Sequence, residues 1–483
     1  MGIVFKQSLQ NTVVTYFGFV IGAINTLVLY TRFMKDADYG LVQVVLSVSA
    51  VLMPLLSFGV PNALVKFYSG FDRSEQGHFL NLMLVLPLLF ILPIALLSFL
   101  ANEAIGNLLA RENPVVRHYV WHIFLIGMAM AYFEVFYAWA RVYLRSVFGN
   151  FMKEIFCRVG QSVLLVLLVV EAIDVPMFLR ALVGLYLLRT LVMKLYAFKI
   201  RPPVLSLALP ENTRAILTYS LLIILGGSTA MVLLEVDKVM LNNYLKIENV
   251  AYYGVAGFIA MTIAVPSRAM HQITYPLTAE YLNRKDLVSL ENLYHRSSLT
   301  LFSISGWLFL LIILNLEDMY QLLPKGYGEG VFIVFWLGLA KLFDALLGNN
   351  NSILYNSNYY RSILILGVLL AFMAIAFNMW LIPHWGLNGA ALASFSAFFI
   401  YNTLKIGYVR AKFNMVPFGK GTTKIVALLL LLGALFYFVR FPFHPILNMV
   451  LKGSLITLAY FGLMYRFKIS EDLYLLLAKY LKN

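Results

Sequence analysis

Residues 39–68 read YGLVQVVLSVSAVLMPLLSFGVPNALVKFY, and residues 253–281 read YGVAGFIAMTIAVPSRAMHQITYPLTAEY. Each begins with a Tyr-Gly pair that opens an apolar run of about 20 residues, the length that carries an α-helix across about 30 Å of hydrocarbon. A proline follows in each, Pro61 in one copy and Pro276 in the other, and each copy ends in a charged residue before an aromatic, Lys66-Phe67 and Glu280-Tyr281. The copies lie about 214 residues apart, so the chain reads as an internal repeat of membrane-spanning segments.

The composition agrees. Of 483 residues, 61% are hydrophobic and 12% charged, against about 25% charged in a soluble domain. Windows long enough to span recur at 11–31, 40–60, 79–100, 119–138, 154–171, 176–198, 216–236, 249–267, 297–315, 330–350, 362–382, 386–404, 425–439 and 443–465. The repeat maps spans 1–6 onto 7–12, which makes the copies parallel and relates them by an axis along the membrane normal. The expected fold is an all-α polytopic membrane protein of about 14 transmembrane helices. Two six-helix lobes, 1–200 and 201–422, are followed by 423–483, with two extra helices and an amphipathic tail. Residues 268–296 are expected to form an amphipathic loop helix, and no loop is long enough to be a catalytic domain.

The formal charge of +14 comes from 37 Lys and Arg against 23 Asp and Glu. No basic run is dense enough for nucleic acid, and most basic residues fall in segments that share a side with the termini. By the positive-inside bias, both termini are expected in the cytoplasm. The single cysteine, Cys157, excludes an intramolecular disulfide.

Ionisable residues inside spans are expensive, about 2.5–3.5 kcal/mol each on insertion scales, and are therefore functional candidates. The lumen candidates are Glu134, Arg158, Asp237, Lys238 and Lys341, with Arg32 and Arg268 just beyond spans 1 and 8 as phosphate contacts, since guanidinium offers a bidentate fork. Glu134 and Asp344 are candidates for a coupling ion. Structural readings stand beside these: a Glu134–Arg158 packing pair, mutual neutralisation of Lys341 and Asp344, and snorkelling of Lys452 to the interface. His118 and His122 lack a third metal ligand, and the short loop around Asp36 and Asp38 reads as a solvated turn. No metal, cofactor or catalytic residue is expected.

Three stretches carry a family resemblance. They are YTRFMKDADYGLVQ (30–43) with SFGVPNALVKFY (57–68); EVDKVMLNNYLKIENVAYYGVAGFIA (235–260) with YPLTAEYLNRKDLVSLENLYHRSS (275–298); and FNMWLIPHWGLNGAALASFSAF (377–398). The chain resembles the Wzx-like polysaccharide and oligosaccharide flippases of the multidrug/oligosaccharidyl-lipid/polysaccharide exporter superfamily. The resemblance implies a two-lobed bundle with a cationic cavity, alternating access, and an undecaprenyl-pyrophosphate-linked oligosaccharide as substrate in the inner membrane. It also implies a role in lipopolysaccharide O-antigen or similar surface polysaccharide biosynthesis, with membrane lipids and a polysaccharide polymerase or ligase as partners. From the family, Asp237, Lys238 and Arg268 carry over, Lys238 standing where an Arg is often found. The alternative is a cation-coupled multidrug or metabolite exporter. An integral-membrane glycosyltransferase would need a catalytic loop that this sequence lacks.

Overall fold

A computed structural model of the chain describes residues 3–72, 75–204, 208–224, 229–470 and 474. Among the described residues all regular structure is helical. That is the consequence of a solvent in which backbone polar groups find no water and must pair within their own segment. The protein is a polytopic helical membrane protein. Among the described residues ten helices are long and apolar enough to cross, or eleven when the bent pair Lys325–Leu346 and Asn350–Asn356 counts as one span.

This count parts from the fourteen windows for local reasons. Window 154–171 holds a π-helical turn, Met152–Phe156, and the 13-residue helix Cys157–Val169. Window 216–236 includes residues 225–228, which lie outside the described residues. Windows 362–382 and 386–404 run together in Tyr360–Phe413, 54 residues, which as one straight helix would reach about 80 Å. The run breaks at Gly386, with φ 55° and ψ −130°, a conformation closed to side chains with a Cβ. Ser362 Oγ donates to Tyr408 Oη at 2.5 Å and the Tyr359 and Phe413 rings meet edge to face, so the two halves fold back on each other.

By packing, the chain forms two compact units, Met1–Ala251 and Tyr252–Asn483. The first contains α1 (Ile3–Ile24), α2 (Asp36–Ser57), α3 (Val60–Phe67), α4 (Val120–Val142), α5 (Cys157–Val169), α6 (Val175–Ile200) and α7 (Thr229–Tyr244). Helix α4 is the hub, packed on α2, α3 and α6, with Phe133 and Trp139 fully buried. Gly18 and Gly22 let α1 approach the fifth span: a Cβ at Gly18 would lie 2.6 Å from the Glu154 carbonyl oxygen. At Gly22 it would lie 3.2 Å from Arg158 Nε. Just beyond, Asn25 donates to the Arg158 carbonyl at 2.8 Å and accepts from Ser162 at 2.6 Å.

The second unit contains α8 (Val265–Arg284), α9 (Leu287–Leu314), α10 (Val331–Leu346), α11 (Asn350–Asn356), α12 (Tyr360–Phe413), α13 (Lys420–Tyr437) and α14 (Pro445–Arg466). Helix α9 packs on α8, α10, α13 and α14, and α10 on α12. The single loop helix expected over 268–296 is corrected here. Lys285 adopts the left-handed conformation, φ 56°, and Asp286 caps a new helix by accepting from the Ser289 amide at 3.0 Å. A short polar linker thus ends α8 and starts the long span α9. Apart from Ile469, Ser470 and Tyr474, the tail 469–483 lies outside the described residues.

The hydrogen bonds that Asp286 accepts from Ser289 hold its carboxyl below the usual carboxylate range. A depressed folded-state value means that the cap stabilises fully above the unfolded value and is lost as pH falls through the folded one. Asp286→Ala is therefore expected to lower the melting temperature in detergent at neutral pH, and the gap from the unsubstituted protein should close below about pH 4. A gap that stays constant down to that pH would show that the cap is not ionic.

Candidate functional site

Unit 1 gathers charge on α4, the π-helical turn before α5, and α6. Lys153 Nζ lies 2.6 Å from Glu134 Oε1, and Arg158 Nη2 lies 3.2 Å from Glu154 Oε2. These two pairs supply the packing device that a direct Glu134–Arg158 pair would have provided. Arg189, 6% exposed, has its guanidinium 4.0 Å from the centre of the Phe133 ring and 4.8 Å from that of Tyr186. Arg141 lies 4.8 Å from the Tyr137 ring centre. Both act electrostatically on Glu134.

The group comprises four cations, Arg141, Lys153, Arg158 and Arg189, and two carboxylates, Glu134 and Glu154. Ring faces hold a cation through the quadrupole without consuming its N–H donors. The Nε groups of Arg141 and Arg189 make no hydrogen bond among the described residues. A cationic surplus of this kind is suited to binding an anion with several oxygens, a phosphate above all.

A second network ties α2 to α7. Ser47 Oγ donates to Glu235 Oε2 at 2.5 Å, and Lys238 Nζ reaches Glu235 at 3.0 Å and Gln43 Oε1 at 3.1 Å. Asp237, one residue away, is wholly buried. The glycine of the repeated Tyr-Gly pair acquires a reason here, because a Cβ on Gly40 would strike the Ile247 carbonyl just after α7. Asp237 and Lys238 are thus brought to the α2–α7 packing. Arg32 and Arg268 lie exposed at their helix positions.

In unit 2, Asp344 on α10 accepts from Asn402 Nδ2 at 3.3 Å and faces Lys405 Nζ at 4.0 Å. Lys405 is 1% exposed, donates to Asn351 Oδ1 at 2.9 Å and sits 4.4 Å from the Tyr401 ring centre. His271 on α8 feels both charges. Lys341, one turn before Asp344, lies 4.5 Å from the Phe398 ring centre. Sequence reasoning missed Lys405, as it missed Arg141, Lys153 and Glu154 in unit 1. Span 12 was ended at 404, whereas its helix runs to Phe413. The available signal was Asn402 and Lys405 three apart on one helical face at the end of an apolar run. The expectation that Lys452 snorkels is overturned as well. It is 5% exposed and turns inward to the last carbonyl of α9, Leu314 O, at 2.6 Å.

Removing the carboxylate from this site leaves a buried ammonium without a counter-charge. Asp344→Asn is expected to destabilise the protein by less than the about 3–5 kcal/mol of a fully buried pair, since the Asp344 side chain is 36% exposed. Adding Lys405→Met should restore most of the loss. A double-mutant cycle of melting temperatures with purely additive losses would dissolve the proposed coupling.

The fold and these clusters can now be set beside known proteins. The family described as "Polysaccharide biosynthesis protein" matches residues 4–282. No curated protein matches. Among solved structures, the chain is similar to the lipid II flippase MurJ in an inward closed conformation. That match is 15% identical, covers 95% of this chain and 100% of that one, and has a TM-score of 0.71. It is also similar to MATE in the straight conformation, with 15% identity, coverage of 85% and 96%, and a TM-score of 0.57. A third is a MOP superfamily transporter from Pyrococcus furiosus, with 14% identity, coverage of 86% and 96%, and a TM-score of 0.59. At these identities the likeness shows a shared fold. The family match spans more than half of the chain, and the chain belongs to the polysaccharide biosynthesis protein family.

Proposed function

We propose that this protein is a flippase that moves an oligosaccharide linked to undecaprenyl pyrophosphate across the cytoplasmic membrane by alternating access, for surface polysaccharide biosynthesis such as that of O-antigen. The observation that carries the reading is the cationic surplus of unit 1: Arg141, Lys153, Arg158 and Arg189 against Glu134 and Glu154. A pyrophosphate supplies the negative charge that such a surplus lacks. Arg32, Lys238, Arg268 and Lys341 are proposed as further contacts along the path, and both termini are proposed to be cytoplasmic. The repeat-based lobes 1–200 and 201–422, with 423–483 as an appendage, belong to the same proposal. So does a polymerase or ligase as partner.

The sequence carries no GxxxxGK[ST] phosphate loop. A gradient is the proposed energy source, the membrane potential supplying about 2.3 kcal/mol per charge per 100 mV. Asp344 is the proposed coupling group in unit 2 because it is half-exposed beside a buried cation. Glu134, already 2.6 Å from Lys153, is the other candidate. The alternative, a cation-coupled exporter of drugs or metabolites, shares the MATE fold. The cation excess argues against it.

In liposomes, Arg158→Ala is expected to slow translocation of a fluorescent lipid-pyrophosphate oligosaccharide about tenfold or more, the loss of one charge-assisted hydrogen bond of about 1.5–3 kcal/mol. Small cationic dyes moving in place of the lipid would transfer the protein to the exporter reading. Combined Glu134→Gln and Asp344→Asn substitutions should abolish the response of transport to an imposed gradient, and a response identical to the unsubstituted protein would end the coupling role of both.

A further inference from the structure

Unit 2 contains a cavity of about 930 Å³ at the end where α9 finishes and α14 begins. Its volume is at the upper end of the about 300–1,000 Å³ typical of small-molecule sites. It shares no residue with the Asp344 and Lys405 cluster. Its deep wall is polar and organised. Asn448, 7% exposed, gives its amide hydrogens to both oxygens of Asp318 at 2.8 Å each. That orientation is fixed by the carboxylate, which would repel a carbonyl. Asn448 Oδ1 is consequently committed to the opposite side and is buried with no partner among the described residues. A buried amide oxygen left unmade costs about 1–3 kcal/mol, and this one belongs to a residue that lines the cavity. Beside it Lys452 has spent one donor on Leu314 O and retains two.

The mouth carries the salt bridge of Arg440 and Glu317 at 2.9 Å, and Glu329. The charged lining is therefore three carboxylates and two cations, which suits neither a phosphate nor a purely apolar tail. The remaining wall combines aliphatic residues such as Leu316 and Val331 with aromatic ones: Phe332, Phe335 and Trp336 on α10 and Tyr437 at the end of α13, with Phe332 and Tyr437 64% exposed. Aromatic faces beside mixed donors and acceptors match the surface of a sugar ring, whose C–H faces are apolar and whose edge carries hydroxyls that both give and accept hydrogen bonds.

We propose that this cavity is a glycan-binding subsite that holds neutral or N-acetylated sugar rings of the transported lipid-linked oligosaccharide, the Lys452 ammonium and the Asp318 and Glu329 carboxylates bonding ring hydroxyls and the aromatic wall stacking on a ring face. The chemistry is read from unit 2 alone. That the sugar belongs to the cargo rests on the flippase reading. By the positive-inside reading, the subsite lies on the side where the cargo is delivered.

The test is saturation-transfer difference NMR on the full-length protein in nanodiscs. The probes are N,N′-diacetylchitobiose, maltotriose and chitosan disaccharide, with phosphoethanolamine as a lipid-headgroup arm. Transfer to ring protons of at least one saccharide is expected. Tyr437→Ala and Phe332→Ala truncate exposed rings and leave the core intact, and each should weaken binding about tenfold, or about 1.4 kcal/mol. Asn448→Leu, which releases the Asp318 carboxylate from its two hydrogen bonds, should abolish it. Absence of transfer to every saccharide, transfer unaffected by the two aromatic truncations, or transfer to phosphoethanolamine alone would overturn the assignment. The cargo clause is tested separately, in liposomes where the unsubstituted protein translocates the lipid. Variants that lose sugar binding should slow that translocation, and an unchanged rate would overturn it. A protein that binds sugars through this wall but translocates no lipid-linked glycan would fail the flippase reading and the cargo clause, and keep the subsite.

Discussion

A charge in hydrocarbon must find a partner, and the polar architecture of this bundle follows from that constraint. An uncompensated ion costs several kcal/mol in a low-dielectric interior, so each buried cation is met by something specific. The more exposed Lys153 meets Glu134 on α4, Arg158 has Glu154 one turn earlier, Lys238 has Glu235, and Lys452 has the end of a helix. Lys405 has an amide oxygen and a more distant carboxylate, and Arg189 has ring faces. Backbone features serve these contacts. Gly22 makes room for the Arg158 guanidinium, and the π-helical turn at Asn25 presents an amide to the Arg158 carbonyl. The break at Gly386 folds α12 back so that Asn402 and Lys405 reach Asp344.

The two units solve the problem differently. Unit 1 has more cations than carboxylates and stores the surplus on aromatic faces, a means that leaves N–H donors available. Unit 2 sets its cations singly, Lys405 beside one half-exposed carboxylate and Lys452 beneath a mixed polar pocket. An anionic headgroup and a neutral glycan need those two kinds of surface, and the division of chemistry suits a cargo with both parts.

Much of the fold was legible because the bilayer imposes a length and an apolar composition on each span. Among the described residues the fourteen windows lie mostly on helix. The repeated tyrosines, Tyr39 and Tyr253, are 0% and 1% exposed. What sequence alone left open is local. Hydropathy does not mark a π-helical turn within an apolar run, so the fifth span read as longer than its helix. The Lys285–Asp286 break was signalled by an Asp three residues before Ser289, a capping pattern that the leucine periodicity around it masked. Site residues were harder still. Periodicity shows that Glu134 and Arg158 are inside spans, but their partners come from tertiary packing. Lys405 sat one residue past an assumed boundary.

Transbilayer movement of a lipid-linked glycan is measured by the access of a membrane-impermeant lectin to that glycan. The lipid-pyrophosphate oligosaccharide would be placed in the inner leaflet of liposomes containing the purified protein, with protein-free liposomes alongside. The account predicts that lectin-accessible glycan grows with time, and stops growing when inorganic pyrophosphate or a lipid pyrophosphate without sugar competes for the cationic cluster. Accessibility that stays at the protein-free level under every imposed pH, sodium or voltage gradient would contradict it.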